Sequence, residues 1–156
     1  MTAVPDLPNP ESGPRFEAAC GPVTTTQLVR YAGASGDFNR IHYDHHYAVD
    51  AKLGGVIAHG MLTMAFMCRA LTDRVGPRGS VSRVAARFLS PVRPGDTVTT
   101  IVTVGSRRND SANPGIDCDL AAFVGDRRVA EGKATVVWPD QEQARQHFGG
   151  IGEHHG

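Results

Sequence analysis

The chain lacks the features that mark disulfide-rich, metal-thiolate, nucleic-acid-binding or membrane-spanning proteins. It has three cysteines, and Cys20, Cys68 and Cys118 lie far apart without a C-x-x-C pair, so neither a disulfide framework nor a thiolate zinc site is predicted. Lys+Arg and Asp+Glu number 16 each, which gives no overall positive field for nucleic acid or anionic lipid. No stretch approaches the roughly 18 consecutive apolar residues of a membrane helix. We therefore expect a cytoplasmic protein that recognises its partners locally.

What is present favours one compact domain between two arms. The chain has 156 residues, of which 40% are hydrophobic and 21% charged, a balance typical of globular proteins. Residues 1–14 are rich in proline and contain no apolar run of the kind found in signal peptides. The last residues are polar and interrupted by glycine. The sequence predicts a disordered N-terminal arm over 1–14, a domain over 15–139 and a polar tail over 140–156.

The first half of the domain has a mainly helical pattern. Thr24 to Thr26 can cap a helix that stops at Gly36, and Asp44 can cap a shorter one. The segment MLTMAFMCRALTDRV is apolar on nearly every face, and a helix of that kind is usually buried on all sides. The predicted elements are a strand over 15–20, helices over 27–35 and 45–53, and a long helix over 61–75.

The second half changes to a β pattern. Four runs rich in Val, Thr, Ile and Phe alternate with segments of turn formers, and they span 81–89, 97–105, 115–124 and 127–138. They predict four antiparallel strands in a long meander. A buried helix followed by such strands predicts an α+β domain with the hot-dog fold, in which a curved antiparallel sheet wraps the central helix.

Reactive side chains are concentrated just before the long helix. Asp37 and His42 are five residues apart, so on a regular helix they would point about 140° away from each other. Gly36 and Asn39 are turn formers, and an irregular loop can bring the two side chains together. An aspartate and a histidine at one point can hold a water and move its protons near neutral pH. The pair predicts hydration or dehydration chemistry, unless Asp37 only caps a turn and His42 only fills a polar niche.

Gly60 is a second candidate, at the first turn of the long helix. An N–H group there has no partner within the helix and points outward along the positive end of its dipole. Without a side chain at this position, a thioester carbonyl can approach closely, and the N–H can stabilise enolate-like charge on its oxygen. The alternative is that glycine simply lets the helix pack tightly against a strand.

Two segments in this order resemble the hydratase motif of the MaoC-like family: SGDFNRIH at 35–42 and IAHGML at 57–62. The likeness extends over about Phe16 to Trp138. The family includes (R)-specific enoyl-CoA hydratases and 3-hydroxyacyl-acyl-carrier-protein dehydratases. The resemblance implies a hydro-lyase of fatty acid or polyketide-type metabolism that interconverts (3R)-3-hydroxyacyl and trans-2-enoyl thioesters, on CoA or acyl carrier protein, without a metal or redox cofactor. It also implies a homodimer, or a heterodimer with a related hot-dog subunit.

The resemblance implies a role for each motif residue. Asp37 and His42 would be the catalytic pair, and Asn39 would steady the loop and the water. The backbone N–H of Gly60 would bind the thioester carbonyl, whereas His59 is expected to be structural.

Arg40 departs from the family pattern. Family members usually have N-P-I-H where this chain has Asn39, Arg40, Ile41 and His42. The rigidity of proline is lost and a charge is added beside the pair. That charge either meets an anionic substrate group or points to solvent, and we expect solvent.

Other functions remain open at this point. A noncatalytic hot-dog subunit could shape an acyl tunnel for a catalytic partner, although such a subunit has no need of Asp37 and His42. A hot-dog thioesterase is a further alternative, because a fold does not fix a function. Histidine density alone suggests a metal site formed by His42, Asp44, His45, His46 and His59, and we expect none. Several arginines could bind CoA phosphates or an acidic carrier, or could simply be solvated: Arg83, Arg87, Arg107, Arg108, Arg127 and Arg128.

Overall fold

The computed structural model describes residues 15–76, 79–108 and 115–138. The predicted arms over 1–14 and 140–156 lie outside the described residues. The helices are α1 (Thr25–Ser35), α2 (His45–Asp50) and α3 (Gly60–Val75), and a 3₁₀ turn spans Arg40–His42. The strands are β1 (Arg15–Cys20), β2 (Ser80–Phe88), β3 (Val98–Arg108), β4 (Gly115–Val124) and β5 (Arg127–Val137).

The five described strands form one antiparallel sheet in the order β1-β3-β4-β5-β2. The predicted meander is correct for β3, β4 and β5 but wrong for β2, which pairs with β5 at the far edge. The chain does not turn back as a hairpin after β2. Instead it passes the start of α3, where Ala58 donates its N–H to the carbonyl of Val92 at 2.7 Å. It then enters β3, which lies three strands away from β2 in the sheet.

The core lies between α3 and one face of the sheet. Alternate residues of β3 and β4 are buried, because successive side chains of a strand point to opposite faces. They pack around the large buried side chains of α3. The core residues of these three elements include Val98, Val102, Val104, Ile116, Leu120, Phe66, Met67 and Leu71.

The long helix is not buried on all sides within the single chain. One sheet covers only one side of it, and Met61 is 51% exposed on the other. We call the uncovered residues Met61, Met64, Ala65 and Cys68 the α3 stripe; two are exposed and two half-buried. No helix in the described ranges is long and apolar enough to cross a membrane.

The predicted helix caps are confirmed. Thr24 Oγ1 accepts from the N–H of Gln27 at 3.1 Å, and α1 ends at Gly36, whose φ of 72° is left-handed. Asp44 caps α2 by accepting from the N–H of Tyr47 at 3.0 Å. That helix ends at Asp50 rather than at residue 53, because Lys52 adopts a left-handed φ of 61° and breaks the helical path.

Candidate active site

The loop after α1 is irregular and folds on itself through side-chain contacts. The N–H of Asn39 donates to Asp37 Oδ1 at 3.1 Å. The Asn39 side chain in turn accepts from the N–H of Ile41 at 3.3 Å, which starts the 3₁₀ turn. These two bonds fix the path from Asp37 to His42, so Asn39 occupies the place that its expected role requires.

His42 is buried and aimed at Asp37. Its Nδ1 lies 2.8 Å from the carbonyl oxygen of Ile57, and because a carbonyl only accepts, Nδ1 carries the proton. In the neutral ring this leaves a lone pair on Nε2, which lies 3.8 Å from Asp37 Oδ2. That gap is too long for a direct hydrogen bond, and a bridging water is the usual way to span such a distance.

The two side chains of the pair differ in their access to solvent. The side chain of Asp37 is 53% exposed and that of His42 only 8%. The carboxylate is therefore open to solvent, whereas the imidazole is enclosed by the protein.

His59 contacts both members of the pair. It is 2% exposed, its Nε2 donates to the backbone carbonyl of Asp37 at 3.1 Å, and its ring stacks on His42 with centroids 3.7 Å apart. Tyr31 of α1 packs on its other side at 5.0 Å. These contacts suit the structural role expected from the sequence. The direct link to Asp37 was missed, because no spacing in the sequence reveals a side-chain bond to a distant carbonyl.

The suggested metal site is not formed as one cluster, although three candidate ligands do lie together. Asp37, His42 and His59 do bring ligand-type atoms within 4.8 Å of one another. However, the two rings are stacked with an interplanar angle of only 23°, so their in-plane lone pairs run side by side instead of converging on one ion. The other members of the suggested metal site are elsewhere: Asp44 caps α2, and His45 and His46 are exposed on that helix.

Gly60 is the first residue of α3 and directly follows His59. The N–H groups of Leu62 and Thr63 donate to the carbonyl of His59 at 3.1 and 3.4 Å. Within the described residues, the N–H groups of Gly60 and Met61 have no backbone acceptor, as expected at a helix start. A donor is thus available at the end of α3 that adjoins the pair.

The absence of a side chain at Gly60 has a packing explanation as well. A Cβ atom there would lie 3.0 Å from the ring of Phe88 at the end of β2. The packing interpretation of Gly60 and its proposed binding role are therefore compatible, since the ring meets the side-chain position and the donor is the backbone.

Comparison with known proteins identifies the family. Residues 8–114 match the family model described as "MaoC like domain", which is more than half of the chain. The chain belongs to the MaoC-like family.

Two relatives of this MaoC-like chain are named as a dehydratase and a hydratase. The 3-hydroxybutyryl-CoA dehydratase of Methylorubrum extorquens is 32% identical over 123 residues, which cover 78% of this chain and 77% of that protein. The (R)-specific enoyl-CoA hydratase of Rhodospirillum rubrum is 33% identical over 118 residues, covering 75% and 81%. The predicted family is confirmed, and these names support the predicted hydro-lyase activity.

Solved structures confirm the hot-dog fold. The (R)-hydratase from A. caviae involved in PHA biosynthesis superposes with a TM-score of 0.74 at 26% identity, covering 81% of this chain and 96% of that one. The ChsH1-ChsH2 complex from Mycobacterium tuberculosis gives 0.71 at 22% identity, covering 88% and 99%. At that identity the second likeness concerns the fold alone.

Arg40 of this MaoC-like chain is exposed, as expected, but its guanidinium is not free. Nη2 lies 2.6 Å and Nε 3.2 Å from Asp44 Oδ2. The guanidinium carbon also lies 4.6 Å from the centre of the Tyr47 ring. The arginine side chain is therefore held against Asp44 and Tyr47.

Most of the arginines considered as a phosphate site are paired with neighbouring side chains. Arg87 and Arg128 approach Glu131 at 3.9 and 3.2 Å, and Arg108 approaches Asp117 at 3.8 Å. They line a depression of about 1040 Å³ on the sheet, and neither Asp37 nor His42 lines it. Their pairing favours the interpretation as a solvated surface.

Proposed function

We propose that this MaoC-like protein adds water to trans-2-enoyl thioesters to give (3R)-3-hydroxyacyl thioesters, and catalyses the reverse dehydration. The observation that carries the proposal is the 3.8 Å gap between His42 Nε2 and Asp37 Oδ2. Two proton acceptors face each other there, beside the available N–H of Gly60. A water in the gap would meet the acceptors that it needs to become a nucleophile.

The site residues divide the work of the reaction. The bond from Nδ1 to Ile57 leaves His42 Nε2 as an acceptor, and the bond from Asn39 to Oδ1 leaves Asp37 Oδ2 facing the gap. The water oxygen bonds to C3 of the substrate, and the pair takes the proton that the water releases.

The electrons of the C2=C3 bond pass into the thioester as an enolate, and the Gly60 N–H stabilises the charge on its oxygen. The pair then returns the proton to C2. One water is added without oxidation or reduction, so this chemistry needs no redox cofactor, and the proposed mechanism uses no metal.

Incubation with crotonyl-CoA tests the reaction. We expect the enoyl absorbance to fall without release of free thiol, because water adds to the double bond and the thioester remains intact. The Asp37→Asn variant is the control for uncatalysed hydration. Thiol release would identify a thioesterase. No turnover of either CoA or carrier-protein substrates would indicate a noncatalytic subunit.

A second copy of the chain is proposed to cover the α3 stripe. The stripe is apolar and uncovered, with Met61 51% exposed, and burial of apolar surface favours association. Light scattering at micromolar concentration is expected to give about twice the chain mass of 16.6 kDa. A stable, active monomer would contradict this proposal, whereas a soluble and inactive chain would point to a related but different subunit.

A matched pair of variants locates that interface. Ala65 is exposed within the α3 stripe, and Val49 is 45% exposed on α2, outside it. A charge placed in an apolar interface is costly to desolvate, so Ala65→Glu is expected to shift the protein to monomers. Val49→Glu adds the same charge to another helix and is expected to leave the dimer intact. Equal behaviour of the two variants would place the interface elsewhere.

A further inference from the structure

We infer that Arg40 acts as a positioning residue for the proposed hydration, by closing a clamp with Asp44 and Tyr47 that holds His42 in place. The inference rests on the proposed function for its catalytic consequence. Its structural part stands on the contacts of residues 39–47.

The backbone at position 40 is one that a proline could adopt. Asn39 is extended, with φ −61° and ψ 123°, and Arg40 begins the 3₁₀ turn. In the described part of the chain, the N–H of Arg40 has no backbone acceptor. An extended preceding residue and an unused N–H are what proline requires. Arginine does not restrict its own φ in this way, so the turn needs another source of rigidity.

The side chain of Arg40 supplies that rigidity across the turn. The N–H of Asp44 donates to the carbonyl of Arg40 at 2.9 Å, and the Asp44 carboxylate binds the guanidinium at 2.6 Å. Residues 40 and 44 are thus joined by both backbone and side chain, with His42 between them. The other carboxylate oxygen, Oδ1, caps α2 through the N–H of Tyr47, which anchors the clamp to a helix.

The clamp is charged throughout the neutral pH range. The N–H of Tyr47, and then the Arg40 guanidinium, lower the pKa of Asp44 from its ordinary value of 3.8. The carboxylate in turn raises the pKa of Arg40. Because the pKa of Asp44 is lowered on folding, its contribution is present above pH 3.8 and is lost only as the pH falls through the lower folded value. The clamp therefore works as a fixed support between about pH 5 and 9.

The contact is exposed, and its effect should appear in geometry more than in stability. The side chain of Arg40 is 58% exposed, and exposed ion pairs contribute little to the free energy of unfolding. A catalytic group displaced by about 1 Å can nevertheless lose on the order of 10²-fold in rate. We therefore expect variants of the clamp to fold normally and to turn over slowly.

Three single variants and one double variant separate positioning from other roles. Arg40→Ala is expected to lower kcat about tenfold with little change in KM, since the turn loosens but the binding surface is kept. Arg40→Pro is expected to restore kcat to within about threefold of the parent, because the ring fixes φ. Asp44→Asn keeps the cap of α2 but loses the ion pair, so it should match Arg40→Ala. The variant with both Arg40→Ala and Asp44→Asn should be no slower.

Amide hydrogen exchange provides a readout that does not depend on activity. The N–H groups of His42 and Tyr43 donate to the carbonyls of Asn39 and Arg40. They are expected to exchange faster in Arg40→Ala than in the parent, and at the parental rate in Arg40→Pro, with Tm unchanged in both.

The outcomes distinguish the clamp from the proposed function. If the parent has no hydratase activity but the variants show this exchange pattern, the proposed function is wrong and the clamp is supported. Equal exchange and equal kcat in the parent and Arg40→Ala would overturn the clamp. If Arg40→Pro restored slow exchange but not kcat, Arg40 would contact substrate instead, and the positioning role would be wrong.

Discussion

Asp37→Asn and His42→Gln are each expected to lower kcat by about 10²- to 10⁴-fold, the range for loss of a general acid or base. The structure shows why folding should survive. Asparagine keeps an oxygen for the N–H of Asn39, which now donates to Asp37 Oδ1, and glutamine keeps an amide that can donate to Ile57. What each variant loses is a group that can take up and return a proton at the 3.8 Å gap, because an amide is not a base near neutral pH. Stopped-flow hydration of enoyl thioesters measures the loss.

The double variant tests whether the two residues act as a unit. Because both side chains serve one water, the double variant should be little slower than the poorer single variant. Multiplied effects would mean two separate roles. Near-parental rates in both single variants, with unchanged Tm, would remove the catalytic assignment and favour the noncatalytic subunit.

Removal of the backbone donor at Gly60 is expected to have the second largest effect. Gly60→Pro deletes the N–H, and proline fits the first position of a helix. The preceding residue, His59, is already extended with φ −58° and ψ 136°, as a residue before proline must be. Loss of one donor to an enolate-like oxygen typically costs 10²- to 10³-fold in kcat.

Gly60→Ala is the matched control for that variant. It introduces the same Cβ, which would lie 3.0 Å from the Phe88 ring, but it keeps the N–H. The ratio of kcat between the alanine and proline variants therefore separates the loss of the donor from the contact of the shared Cβ with Phe88. We expect the proline variant to be slower by the full 10²- to 10³-fold, with similar Tm values. Equal rates would show that Gly60 serves only the packing of α3 against Phe88.

The types of element could be predicted because their local signals agree with the fold. Thr24, Gly36 and Asp44 cap helices as their chemistry favours, and the Val- and Thr-rich runs are strands. The order of the strands was not predictable from those runs. β2 pairs with β5, which is distant in sequence, and the segment after Phe88 bonds to Val129 and to Ala58. Neither of the paired segments contains a local sequence signal for these long-range contacts.

Some features of the candidate site could be predicted from the sequence and others could not. Asp37 and His42 could be named because loop formers separate two residues of suitable chemistry. The stacking of His59 on His42 and the bond from His42 to Ile57 could not, because they join segments distant in sequence. The pairing of Arg40 with Asp44 has the spacing of a helical ion pair, but the segment is not a regular helix, so the spacing alone did not predict it.

The pairing of β1 with β3 affects the order in which parts of the fold can assemble during synthesis. Arg15 lies opposite Thr103 in the sheet, so the first described strand has no partner until most of the chain has left the ribosome. The residues that contact Asp37 and His42 are synthesised early, but Val92, which anchors the start of α3, comes late. Pairings between distant residues are slow to form. Closure of the sheet should therefore limit the rate at which newly made chains become active. The catalytic loop, although it is synthesised before β2 to β5, should be among the last parts to be held in place.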